Sequence, residues 1–217
     1  MDPFDARRVQ AAYDAVAEDY TTAFAEDLAQ LDVDRAVLDA AAASFPPGRP
    51  VVEVGCGPGQ VSRYLQDRGV RCIGADLAME MLRIARRAPG GHSPAMLIGA
   101  DLRALPLRTG SCAGVVAFYA IQHLPRVDLA AGLDELGRVL VPGGLLVIAA
   151  HLGEGHVTFD EFLGHRIETT GGTFFGEDEL SGVLGRARFV IEHRRTRGAV
   201  PHEHPSERLY LIARRSG

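Results

Sequence analysis

The chain contains no lysine: its 23 strongly basic residues are all arginine. Walker-type phosphate loops, Schiff-base chemistry and Tyr-x-x-x-Lys reductase catalysis each need a lysine, so none of the three is available. Cysteine is scarce as well. Cys56, Cys72 and Cys112 lack C-x-x-C spacing, which excludes both a disulfide framework and a zinc site. Cys72 and Cys112 read as core strand residues and Cys56 as a small loop residue. No apolar run approaches the length of a membrane span, and the opening MDPFDARR is acidic and poor in apolar residues. The expectation is a cytoplasmic protein with no membrane partner. There is no internal repeat or low-complexity segment, and 217 residues at 47% hydrophobic and 24% charged are enough for one three-layer domain, 1–217.

The net charge of -5 is unevenly spread. Residues 1–34 hold nine acids against two arginines, and residues 186–217 hold eight arginines against three glutamates. A basic end can be a nucleic-acid footprint. Here the arginines alternate with apolar residues as on a strand, which reads as a surface acidic at one end and basic at the other.

What organises the chain is VVEVGCGPGQVSRYL, Val51–Leu65. A β-branched run stops at Gly55, glycines recur at 55, 57 and 59, and an amphipathic segment follows: strand, tight turn, helix. Glycine serves where backbone must turn to positive φ or let a ligand approach with no Cβ in the way. Such turns lie at the carboxyl edge of an open parallel sheet, so a nucleotide-like ligand is expected across Gly55–Gly59. The dinucleotide pattern G-x-G-x-x-G would need glycine at position 60, which is Gln60. The pattern present is acid-x-G-x-G-x-G, Glu53 to Gly59. A pyrophosphate disfavours a nearby anion, whereas a sulfonium tolerates Glu53 beside it.

This segment resembles motif I of the class I S-adenosylmethionine-dependent methyltransferases, and LVPGGLLVIA (140–149) is similarly typical of that fold. The resemblance covers about Tyr13 to Ala213. It implies a doubly wound, Rossmann-like α/β fold with a seven-stranded sheet, mostly parallel with an antiparallel C-terminal hairpin, and helices on both faces. It also implies S-adenosyl-L-methionine as cofactor. Gly55, Cys56, Gly57, Gly59 and Met81 join the expected cofactor contacts. Asp76, 17 residues beyond Gly59 at a second strand end, can accept both vicinal ribose hydroxyls. By resemblance Asp101 faces the adenine amino group, the Leu102 N–H a ring nitrogen, and Leu77 and Leu102 the ring faces. YDAVAEDY resembles an N-terminal lid whose tyrosines, Tyr13 and Tyr20, approach the methionine end. Tyr119, Gln122 and His123 lie where the transferred methyl would point. His123 is the candidate base because an unperturbed imidazole suits neutral pH, against a structural histidine bonding backbone.

The expected layout is a helical lid (1–45), a cofactor core (50–150), a substrate-side insertion (151–176), and a C-terminal helix and hairpin (177–217). Helices are predicted over 5–18, 34–44, 60–67, 78–87, 128–140 and 177–186. Strands are predicted to end at Asp76 and Asp101 and to cover 112–118, 145–150, 189–195 and 208–213. APGGHSP (88–94) reads as a turn, VPGG as a helix stop, and 151–176 as a long polar loop shaping the acceptor pocket. Related enzymes commonly carry an acid near the start of the fourth strand, where this chain has Ala113. There is no N/D-P-P-Y tetrad and no acid cluster for magnesium. His202 and His204 lack a third ligand, so no metal is expected. The resulting expectation is a methyltransferase acting on O, N or C of a small molecule, with a homodimer left open. An RNA methyltransferase, a cofactor-binding module without turnover and an NAD-dependent reductase are the rivals, Gln60 and the absent lysine opposing the last.

Overall fold

The computed structural model describes residues 2–24, 27–87, 94, 96–201 and 203–217. The turn expected at 88–94 lies outside them apart from Pro94, as does His202. Strands β1 (Val51–Val54), β2 (Cys72–Asp76), β3 (Met96–Gly99), β4 (Cys112–Phe118), β5 (Leu140–His151), β8 (Phe189–Arg197) and β9 (Arg208–Arg215) form one sheet in the order β3-β2-β1-β4-β5-β9-β8. The pairings from β3 to β5 are parallel, and β9 runs antiparallel to both β5 and β8. The order reverses between β1 and β4, and a crevice opens there at the strand ends.

Residue parity sends each strand's side chains to opposite layers. Leu146, Ile148 and Ala150 of β5 join Leu129, Leu133 and Leu136 of α6 (Leu129–Val139) and Leu180 and Leu184 of α7 (Glu177–Arg186). Leu145, Val147 and Ala149 join Val37, Leu38 and Ala41 of α3 (Asp32–Ser44) and Leu65 of α4 (Gln60–Gln66). Helices therefore cover both faces. Met81 of α5 (Met79–Arg87) packs with Ala17, Tyr13 and Tyr20 of α1 (Ala6–Ala23).

Several boundaries differ from the sequence reading. Helix α1 continues to Ala23, because Asp19–Ala23 contains no helix breaker and Tyr20 still has an apolar side to bury. The Val-Pro-Gly-Gly segment does not separate helix from strand: β5 begins at Leu140 and absorbs it as an irregularity, with the register shifting opposite Cys112 and Gly114. Strand β3 stops at Gly99, so Asp101 stands in the following turn.

The largest correction concerns 151–176. It is a β-hairpin, not a loop: β6 (His156–Phe162) pairs antiparallel with β7 (His165–Thr173). Leu163 and Gly164 both have positive φ (51° and 79°), the requirement of a tight two-residue hairpin turn. Strand β6 has no buried residue, and the buried positions of β7 (Ile167, Thr170, Gly171 and Thr173) do not alternate, so the in-out pattern of a half-buried strand is weak. The hairpin lies on α1 through Phe159, Phe162, Leu163 and Ile167 against Ala12, Val16 and Tyr20.

Candidate functional site

A cavity of about 470 Å³ occupies the crevice at the strand ends, with α1 and the hairpin's Phe162 as part of its wall. The glycine loop forms one side. Gly55 has φ 65°, and a Cβ there would stand 2.7 Å from the Ala120 Cβ, so only glycine lets the loop meet the end of β4. Gly57 has φ 51° and an added Cβ would meet nothing within 4 Å: the loop presents bare backbone to the cavity. Cys56 is buried between them, its N–H donating to the Ala75 carbonyl at 3.1 Å. Gly59 is not among the lining residues; at φ 83° it caps α4, with Ala85 beneath it.

Glu53 in β1, Asp76 at the end of β2 and Asp101 in the turn after β3 all line the cavity. Asp76 accepts the Gly57 N–H at 2.7 Å and the Ala78 N–H at 2.8 Å, so it ties the glycine loop to the start of α5. Burial raises its pKa against those bonds. Asp101 is gripped by Arg103 through both oxygens (2.6 and 3.1 Å), and Arg103 also reaches Asp128 at 2.7 Å. Burial works against ionisation of Asp101, but the Arg103 hydrogen bonds hold its pKa below the usual carboxylate range. Glu53 is buried and accepts a hydrogen bond from Ser62 Oγ. Burial, opposed by Ser62 and aided by the Asp76 charge, pushes its pKa up to about 8.

That last value has a consequence for stability. A carboxyl raised from 4.5 to about 8 on folding contributes stability in full below 4.5, and loses it as pH rises through 8. His123 and His151, pushed down to about 4 mainly by burial, act oppositely but only below their ordinary 6.5. Between pH 6.5 and 8 the Glu53 effect therefore stands clear of them. The ligand-free protein is expected to lose about 2 kcal/mol across that interval. Urea unfolding at several pH values measures this; Glu53→Gln should flatten the decline, and an equally steep decline in that variant refutes the assignment.

The opposite wall is built by α1 and the end of β4. Tyr13 O–H donates to His123 Nε2 at 3.0 Å, while His123 Nδ1 meets the Gly171 carbonyl at 3.2 Å. A carbonyl only accepts, so Nδ1 carries a proton, and burial, which pushes the His123 pKa down to about 4, keeps the ring neutral with Nε2 as the acceptor. Burial raises the Tyr13 pKa. Tyr20, Leu77, Met81, Leu102, Tyr119 and Gln122 complete the expected set along the cavity, and Gln122 Oε1 is buried without a hydrogen-bond partner. Tyr119 holds φ 54°, a strained value for a bulky residue. Its hydroxyl meets the Tyr210 hydroxyl at 2.7 Å, and Tyr210 donates to Asp34 at 2.7 Å. Arg197 closes the network onto Asp34 (3.1 Å) and Glu203 (2.6 and 2.7 Å). The acidic and basic ends of the chain thus meet in the fold.

The chain resembles known proteins in both sequence and fold. The family described as methyltransferase domain matches residues 51–144. A demethylmenaquinone methyltransferase from Beutenbergia cavernae is 31% identical over 173 residues, 77% of this chain and 67% of that one. The chain belongs to the class I S-adenosylmethionine-dependent methyltransferases. A second demethylmenaquinone methyltransferase, from Corynebacterium urealyticum, is 33% identical over 150 residues, 67% of this chain. The chain spans about 60% of that relative's length. In fold it matches magnesium protoporphyrin IX methyltransferase from Synechocystis PCC 6803, solved with bound S-adenosylmethionine. The TM-score is 0.72 over 98% of this chain and 97% of that one, at 17% identity.

The methyltransferase loop fits its family's donor on two observations: bare Gly57 backbone faces the cavity where a Cβ would project, and the buried Gln122 oxygen lacks a partner. Sequence reasoning missed Arg103, whose signal was the Asp-Leu-Arg triplet after β3, and the group Asp34, His151, Arg197, Glu203, Arg208 and Tyr210. An arginine opening a strand of otherwise buried residues, as Arg208 does in RLYLIA, was the available sign. His204 lines the cavity; among the described residues no three His, Cys, Asp or Glu are grouped to hold a metal ion. Also among the described residues, no helix is long and apolar enough to cross a membrane.

Proposed function

We propose that this methyltransferase transfers a methyl group from S-adenosylmethionine to an oxygen, nitrogen or carbon atom of a small-molecule acceptor. The observation that carries the reading is the convergence of Glu53, Asp76 and Asp101 on one cavity with the glycine loop. When bound, the donor supplies an electrophilic methyl group on a positively charged sulfur. Asp76 is assigned to the ribose hydroxyls and Asp101, oriented by Arg103, to the adenine amino group. Leu77, Met81 and Leu102 are assigned to the base, and Gly55, Cys56, Gly57, Tyr13, Tyr20 and Gln122 to the amino-acid end. Gly59 supports the loop from behind.

Alignment of the acceptor is the protein's main contribution, worth about 7–11 kcal/mol in the best cases. Helix α1 and the hairpin's Phe162 form part of the cavity wall on the acceptor side. His123 is neutral near pH 7 and positions Tyr13 while their hydrogen bond stands; it becomes a base for a protonated acceptor only once Tyr13 releases Nε2. Relatives named for demethylmenaquinone support a small-molecule acceptor. On the basic end, Arg194 pairs with Glu177 and Arg214 with Glu192, which leaves less free positive charge for a nucleic acid.

Calorimetry should give micromolar binding of S-adenosylmethionine and S-adenosylhomocysteine and none of NAD. Incubation of the protein with labelled donor and a metabolite extract should then place the label in a low-mass product. Binding of NAD alone, or label confined to RNA, would overturn the proposal.

A further inference from the structure

Resting on the methyl-transfer reading, we propose that the acceptor is an acid with an apolar body, whose carboxylate is held by Arg208 at the cavity end remote from the glycine loop. Arg208 opens β9, paired across the sheet with His151 at the end of β5 and with Arg197 at the end of β8. It lines the cavity although only 2% exposed. One terminal nitrogen donates to the His204 carbonyl at 2.7 Å and to the Ser206 carbonyl, and the other reaches Glu203 at 3.3 Å. Its Nε is buried with no acceptor.

The two nearby acids are already committed to other partners. Glu203 takes both terminal nitrogens of Arg197 and the Val200 N–H (2.9 Å), and Asp34 takes Arg197 Nε and the Tyr210 hydroxyl. Four formal charges lie here, two of each sign, yet Arg197 receives the close contacts from both carboxylates. Among the described residues Arg208 is left with one long carboxylate contact, which it shares with Arg197, and its other hydrogen bonds go to neutral groups of His204 and Ser206. A buried cation so weakly paired is costly unless something else completes its shell.

A carboxylate is the group that does so, because a guanidinium fork matches its two oxygens. His151 is held by Ser206 Oγ at 2.8 Å, and burial together with the Arg208 charge keeps it neutral, so it adds a polar wall without competing charge. Phe118, Phe162 and Leu124 elsewhere on the cavity offer apolar surface to the rest of the acceptor. An anionic acceptor also complements the cationic donor of the proposed reaction.

The test uses the full chain saturated with S-adenosylhomocysteine and three probes, benzoate, cinnamate and octanoate, each against its primary amide. Saturation-transfer NMR should show at least one acid binding tenfold or more tightly than its amide. Arg208→Met should erase that preference while S-adenosylhomocysteine affinity stays within twofold, and Arg208→Lys should restore part of it. If Arg208→Met fails to fold, the acid-over-amide preference of the unaltered protein decides. Equal binding of acids and amides, a preference that survives in Arg208→Met, or no acid bound at millimolar concentration overturns the proposal. Failure to bind S-adenosylhomocysteine at all would instead overturn the methyl-transfer reading on which it stands.

Discussion

Asp76→Ala is expected to weaken S-adenosylmethionine binding at least tenfold, and about a hundredfold if both ribose hydroxyls are held. Hydrogen bonds to a charged group contribute about 1.5–3 kcal/mol each, and about 1.4 kcal/mol is tenfold in affinity. The carboxylate has a second task that adds to the loss. It fixes the Gly57 and Ala78 N–H groups, so alanine leaves two backbone donors without their partner and frees the glycine loop from α5. Asp76→Asn keeps an acceptor for one of them but loses the charge, and an intermediate affinity is expected. Calorimetry reads both variants; unchanged affinity in Asp76→Ala would remove this residue from the donor site.

Asp34→Ala should be the most destabilising of the substitutions considered, by about 3–5 kcal/mol, because removing one member of a buried ion pair strands the other. Asp34 is 2% exposed and is shared by the Arg197 guanidinium and the hydroxyls of Tyr210 and Tyr119. For a chain of this size the loss corresponds to a fall in Tm of about 6–20 °C. Asp34→Asn, which keeps an acceptor for Tyr210, should fall less. A change in unfolding free energy within about 1 kcal/mol for Asp34→Ala would show that solvent replaces the carboxylate without cost.

These two residues mark the boundary of what could be read before folding. Asp76 was legible because a short β-branched run, a glycine turn and an acid at a second strand end are local features, each set by neighbours in sequence. Asp34 was not, because its partners Arg197 and Tyr210 arrive from strands more than 160 residues later. The same division holds along the chain. The parallel sheet and its glycine loop follow from local pattern. The hairpin at 156–173 stayed hidden because its strands are mostly solvated and its turn uses Leu163-Gly164 in place of an Asn-Gly or Asp-Gly signal. Asp101 was read as the end of a strand that in fact stops at Gly99, and Arg103, which grips it, became visible only when the turn folded the two side chains together.

Helix α1 leaves the ribosome early, whereas the hairpin it rests on is synthesised well over a hundred residues later, as the separation of His165 from Asp19 records. Until then Ala12 and Val16 lack Ile167, the buried hairpin residue of their cluster, while Ala17, Tyr13 and Tyr20 can already pack on Met81 of α5. The nascent chain can therefore pair its parallel strands, β1 to β5, before the hairpin exists, and the part of the cavity wall that α1 and the hairpin make together is completed only afterwards.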